Sequence, residues 1–247
     1  MPDTKIDKAK QAAREHVWTA LEREGAAPPG VLGHIPDFEG ADQAAARLAD
    51  LGPWRAASVI KSNPDKAQLP VRVNALREGK LLYMAAPRLA TPKPFYLLDA
   101  AELSEPFERA ATGAGAAGAA LTIGVDEMRP VGLIVCGSVA VNRGGVRVGK
   151  GAGYSDIEVA LLTEAGLIGP DTTIVTTVHQ LQVIDDDLPE TEHDFSVDVI
   201  VTPDEVIECG PARRPAGIVM EHLTAGMVRE IPVLGRLVHV RGTTPST

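Results

Sequence analysis

The run Arg147-Val148-Gly149-Lys150-Gly151-Ala152-Gly153-Tyr154-Ser155-Asp156 constrains this chain more than any other stretch. Glycines recur at every second position from 149 to 153, two cations stand among them, and an acid closes the run. Glycine frees the backbone to turn at positive φ and lets a ligand approach the main-chain amides. Successive N–H groups in such a loop form an anion-binding nest. Arg147 and Lys150 add charge where phosphates would lie, and Asp156 is of the type that holds Mg²⁺. The apolar segment from Val131 to Val141 reads as a buried strand, and Ile157 to Leu162 reads as the start of a helix. Strand, glycine loop and helix in that order is the context of a phosphate site. The run lacks the Gly-Lys-Ser/Thr ending of a Walker A loop and the spacing of G-x-G-x-x-G. A plain turn is the competing reading, and Ser155-Asp156 also suits a helix cap.

The rest of the chain reads as alternating helices and strands. Helix formers fill residues 5–24, with Val17 and Leu21 on one face, until Pro28-Pro29-Gly30 stops the helix. Further helices are expected at 41–51 and 70–77, and strands at 56–60, 81–84, 133–136, 173–178, 198–201 and 205–208. The Ala/Gly tract 110–120 is expected to be a loop, because glycine costs about 1 kcal/mol in a helix interior. Strands alternating with helices predict a three-layer α/β/α fold around a mainly parallel sheet. The reading is one α/β domain over 1–247, with the 5–24 helix packed on it and 238–247 as a tail.

Composition narrows the function classes. With 247 residues, 45% of them apolar, the chain can bury a sizeable core. A net charge of -9 argues against an electrostatic nucleic-acid binder. No apolar run reaches the ~18 residues of a membrane span, and Met1 to Arg14 is too charged for a signal peptide. Cys136 and Cys209 are isolated from each other, so no zinc or redox motif is expected, and Cys136 reads as inert core. A cytoplasmic protein acting on neither nucleic acid nor membrane is the expectation; no feature sets an oligomeric state. His179 and His193 are acid–base candidates, with a structural role expected for His179. Asp185-Asp186-Asp187 reads as a solvated loop and Arg213-Arg214 as surface, or as a grip on an anionic substrate tail. Trp18 and Trp54 read as packing residues.

The glycine run resembles the R-x-G-x-G-x-G-Y-Y-D signature of 5-formyltetrahydrofolate cyclo-ligases. Lys10-Gln11-Ala12-Ala13-Arg14 is similar to that family's early K-x-x-x-R, and Val178-His179-Gln180 and the segment from Leu188 to Pro203 are similar to its later strands. His34 to Gly40, Asn63-Pro64-Asp65-Lys66 and Pro87-Arg88-Leu89 resemble strings of its methenyltetrahydrofolate synthetase domain-containing branch. The likeness runs from about Lys10 to Leu237. It implies the three-layer α/β/α fold and an ATP- and Mg²⁺-dependent ligase. In that reaction a formamide oxygen takes up the γ-phosphoryl group, and a neighbouring nitrogen closes the ring as phosphate leaves. The resemblance further implies ATP contacts from Lys10, Arg14, Arg147, Gly149, Lys150, Gly151, Gly153 and Tyr154. Arg147 and Lys150 would serve the chemistry and Asp156 the metal. Substrate contacts would fall to Asp65, Lys66, Tyr154 and Ser155. Here the chain departs from the pattern: Lys66 stands where the family has Glu, and Ser155 where it has a second Tyr. Both changes lie on the substrate side, so 5-formyltetrahydrofolate competes with a non-folate N-acyl compound, and an enzyme with a catalytically silent nucleotide binder.

Overall fold

The computed structural model describes residues 4–210 and 212–241. The chain begins with helix α1 (Thr4–Arg23), followed by α2 (Ala41–Ala49) and α3 (Gly52–Ala56). Strand β1 (Val59–Ser62), helix α4 (Leu69–Arg77) and strand β2 (Leu81–Ala85) form the first β-α-β unit. Next come β3 (Phe95–Leu98), α5 (Phe107–Ala110), α6 (Gly113–Ala119) and β4 (Leu121–Ile123). Then follow β5 (Leu133–Cys136), β6 (Ala140–Asn142), β7 (Arg147–Val148), α7 (Tyr154–Glu164) and β8 (Thr173–Thr177). The chain continues with β9 (Val183–Ile184), β10 (Val199–Val201), β11 (Val206–Glu208), α8 (Ala225–Glu230) and α9 (Pro232–Arg241).

Eight strands make the main sheet in the order β11-β10-β8-β5-β1-β2-β3-β4. Neighbours from β10 to β2 pair in parallel, while β11, β3 and β4 add antiparallel edges. The central strands β1 and β5 are buried along their whole length, as a sheet covered on both faces requires. One apolar cluster joins the sheet to α2, α4 and the α5–α6 hairpin through Leu48, Val71, Leu76 and Ala116. A second covers the opposite face through Leu161 and Leu162 of α7 and Leu234 of α9. The result is the expected α/β/α sandwich. A small second sheet, β7-β6-β9, packs separately under α1 through Val17, Trp18 and Leu21.

Some expectations shift. The apolar run Val131–Val141 is two strands in two sheets, parted at Gly137-Ser138. The first strand lies later than the expected 56–60, because Pro53 opens a helical turn that buries Trp54 and continues to Ala56. The Ala/Gly tract holds a helix, not a loop, over Gly113–Ala119. There the Thr112 hydroxyl caps the Gly115 amide at 2.9 Å and Ala116 is buried, which offsets the glycine cost. A Cβ at Gly115 would overlap the Arg109 carbonyl, so the close approach needs glycine. The expected tail enters α9 as far as residue 241, and 242–247 lie outside the described residues.

Candidate active site

Strand order places the site. From β1 the chain moves to β2 on one side, and from β5 it moves to β8 on the other. The crevice beyond the carboxyl ends of β1 and β5 is therefore a topological switch point, where open α/β sheets bind ligands. A cleft of about 660 Å³ opens there. Its walls come from α1, the segment after β1, the turn after β2, the glycine loop, the start of α7 and the His193-Asp194 segment.

The glycine loop joins β7 to α7. Gly151 and Gly153 sit at φ +98° and +71°, in the region closed to most side chains. A Cβ on Gly151 would come within 3.3 Å of the Arg14 guanidinium, so its absence lets Arg14 lie against the loop. Arg14 Nε donates to the Gly149 carbonyl at 2.7 Å. Gly153 is the N-cap of α7 and supplies no side-chain cap, so the first amides of this helix, at residues that line the cleft, are left without one. Asp156 is not the cap residue; it lies in the first helical turn.

Arg147 is buried under the loop. Its guanidinium donates to Ser138 Oγ at 3.3 Å, to the Gly137 carbonyl at 3.2 Å and to Asp156 Oδ1 at 3.4 Å, and it lies 4.5 Å from the Phe195 ring centre. Burial pushes the Asp156 carboxyl up, against the pull of Arg147. Lys10 Nζ meets Asp194 Oδ2 at 2.5 Å. Burial opposes ionisation of Asp194, but hydrogen bonds from Lys10 and from the Thr191 amide and hydroxyl outweigh it and hold the group below its ordinary value. Lys150, on the rim, is 3.5 Å from Asp65 Oδ1. Four cations thus converge, each oriented by a carboxylate or a carbonyl.

Of the residues proposed from sequence, Lys10, Arg14, Asp65, Arg147, Gly149, Lys150, Gly151, Gly153, Tyr154, Ser155 and Asp156 all line the cleft. Lys66 is not among the lining residues; it is exposed, and opens a turn whose Ala67 and Gln68 point inward instead. Ser155 Oγ accepts a hydrogen bond from Asn63 Nδ2 at 2.7 Å. His179 accepts from the Leu181 amide and packs edge-on against Phe38, a structural role. His193 lines the cleft, contacting the Thr191 hydroxyl and His222. Arg214 is engaged by Asp198 at 2.6 Å, and Asp185, Asp186 and Asp187 are exposed.

Sequence reasoning passed over a buried pair in the cleft floor. Glu158 lines the cleft and accepts a hydrogen bond from Lys61, which also donates to Asn63 Oδ1 at 2.9 Å. The signal was present: an acid within the apolar, buried face of α7, and a lysine in a strand buried throughout. Burial pushes the Glu158 carboxyl up, against the attraction of Lys61.

A nest of amides at a helix start, ringed by fixed cations, has the donor set to bind a polyphosphate. Among the described residues no three acids or histidines converge as a metal site. No helix among them is long and apolar enough to cross a membrane.

Comparison with known proteins bears out the fold and gives the family. The chain is 38% identical to a mouse methenyltetrahydrofolate synthase domain-containing protein over 95% of its own length, and 36% identical to the human protein of that name over 93%. It spans 64% and 61% of those two proteins. In fold it is similar to the NMR structure of Aquifex aeolicus 5,10-methenyltetrahydrofolate synthetase. The match has a TM-score of 0.50 and 20% identity, and covers 88% of this chain and 96% of that one. Residues 6–203 match the model of a family of carbon–nitrogen ligases, and that range holds α1 from Ile6 onward, the switch-point cleft and the glycine loop. By this match the chain belongs to the 5-formyltetrahydrofolate cyclo-ligase family.

Proposed function

We propose that the cleft binds ATP with Mg²⁺ and that the chain is an active ligase of the cyclo-ligase type, with 5-formyltetrahydrofolate as substrate. One observation carries this reading. The glycine loop, the uncapped start of α7 and the side chains of Lys10, Arg14 and Arg147 meet in a single cleft. A formamide oxygen is a poor leaving group, so the enzyme must hold a phosphoryl donor in line with it and neutralise charge as it transfers.

The roles follow from position. Arg147, fixed from three sides, presents its charge from beneath the loop. Lys150 and Arg14 approach from the rim, and Lys10 from α1. Tyr154 supplies a ring at the start of α7, where it borders both the phosphate nest and the substrate space. Mg²⁺ usually takes one or two protein carboxylates and completes its shell with water and phosphate oxygens, and Asp156 suits that role. When bound there, the ion would neutralise phosphate charge.

On the substrate side, the exposed Lys66 removes one argument for a non-folate substrate. Asp65 lines the cleft and offers an acceptor for a pterin's N–H groups. The Lys61–Glu158 floor and the Asn63–Ser155 hydrogen bond favour the second reading, an N-acyl substrate other than folate. The assay that separates them combines protein, ATP, Mg²⁺ and 5-formyltetrahydrofolate. Methenyl absorbance rising in step with ADP release supports the folate ligase. ADP release with another N-acyl compound, and none with formyl-folate, supports the second reading. No release with any acyl compound, despite ATP binding, contradicts the ligase.

A further inference from the structure

Arg88 stands out on the β2 wall of the cleft. It lies in the turn Pro87–Leu89 with φ 55° and ψ 14°, and Leu89 follows at φ 52°. Among the described residues these two alone take positive φ without being glycine. Consecutive left-handed residues persist only where their surroundings fix them. Here Leu89 is fully buried in the core, its amide bonds the Ala86 carbonyl at 3.0 Å, and the Ala86 amide bonds the Pro94 carbonyl at 2.9 Å. Arg236 of α9 holds the same loop at the Pro92 carbonyl. The strained turn sends Leu89 inward and leaves Arg88 exposed at the cleft.

The other cleft cations are engaged: Lys10 by Asp194, Arg147 by Asp156, Lys150 by Asp65, and Arg14 by the Gly149 carbonyl. Arg88 has no hydrogen bond or ion pair among the described residues. It also sits apart from the phosphate nest. Lys150 and the start of α7 reach the segment after β1, through Asp65 and Asn63, whereas Arg88 stands one strand further along the sheet, after β2. A cation held there by a strained backbone is placed for a different ligand from the one on the glycine loop.

We propose that Arg88 binds a carboxylate on the tail of the acyl substrate, on the opposite wall from ATP. The planar guanidinium makes two parallel hydrogen bonds to such a group. The assignment rests on the reading that the glycine loop takes the nucleotide. The arginine that the sequence offered for an anionic tail, Arg214, lies outside the cleft lining and spends its guanidinium on Asp198 and the Thr172 carbonyl.

The test uses the full chain, first titrated with a non-hydrolysable ATP analogue. With the analogue present, 5-formyltetrahydrofolate and N-acetyl-L-glutamate, a dicarboxylate without a pterin, are titrated separately into wild type, Arg88→Gln and Arg88→Gly. Both variants should bind both probes about tenfold or more weakly, with unaltered affinity for the analogue. Arg88→Gly should also melt higher, by about 2–4 °C, because glycine relieves the left-handed strain. Gain of stability with loss of binding marks a residue held in strain for a ligand. Wild-type affinity for both probes in Arg88→Gln overturns the proposal, as does wild-type protein that binds neither probe. Weakened analogue binding in Arg88→Gln also overturns it, moving Arg88 to the nucleotide. A wild-type chain that ignores the analogue contradicts the nucleotide reading instead, and the dicarboxylate titration still reports on Arg88.

Discussion

Lys61 and Glu158 pair beneath the cleft, where almost no water reaches either side chain. Such a pair adds little net stability, because desolvation offsets the attraction, but removing one partner strands the other. Glu158→Gln should therefore lower unfolding stability by about 3–5 kcal/mol, while Lys61→Met combined with Glu158→Leu should recover most of it in urea melts. If the single change costs no more than a surface substitution, the pair is not buried as described. Asp194 gives a pH dependence. Its folded value lies below the ordinary 3.8, so its contribution is complete above that pH and is lost as the pH falls through the folded value. Wild type should thus lose stability on acidification below about pH 4, and Asp194→Asn should have a flatter acid limb. Equal slopes in thermal melts between pH 5 and 2 would remove Asp194 from the account. Residues with a motif, such as Arg147 and Gly151, were legible from sequence; Glu158 showed only as an acid in an apolar stretch, and only the fold reveals that α7 turns that position towards the cleft.

Helix α1 links packing to the site. Val17, Trp18 and Leu21 dock on the small sheet, and the preceding turns carry Lys10 and Arg14 to the cleft. Removal of residues 1–14 should abolish ATP-dependent turnover while leaving the apolar anchor and the main sheet in place, so far-ultraviolet dichroism should stay close to that of the full chain. Full activity in the truncated protein would reduce α1 to packing. The i, i+4 spacing of Lys10 and Arg14 made their shared face readable in advance. The break at Gly137-Ser138 was not readable, because an unbroken apolar run does not say where a chain leaves one sheet for another. Helix α6 was missed for a related reason. Its propensity is poor, and what forms it is the Thr112 cap and the burial of Ala116. The edge strands β3 and β4 carry too little alternation to stand out from their surroundings.

At the scale of the whole molecule, strand order does most to explain function. The parallel core was visible in the alternation of apolar strands with helices. The switch between β1 and β5 was not, since it depends on which strands become neighbours. That switch brings the segment after β1, the glycine loop and the turn after β2 around one cleft. In the proposed function this cleft holds the phosphates of ATP on the glycine loop. Calorimetric titration of a non-hydrolysable ATP analogue with Mg²⁺ into wild type, Arg147→Ala and Lys150→Ala tests it most directly. Each variant should lose roughly 1.5–3 kcal/mol of binding free energy, the value of a charge-assisted hydrogen bond, with the larger loss at the buried Arg147. Affinity equal to wild type in both variants would contradict the claim and take the glycine loop out of the nucleotide site.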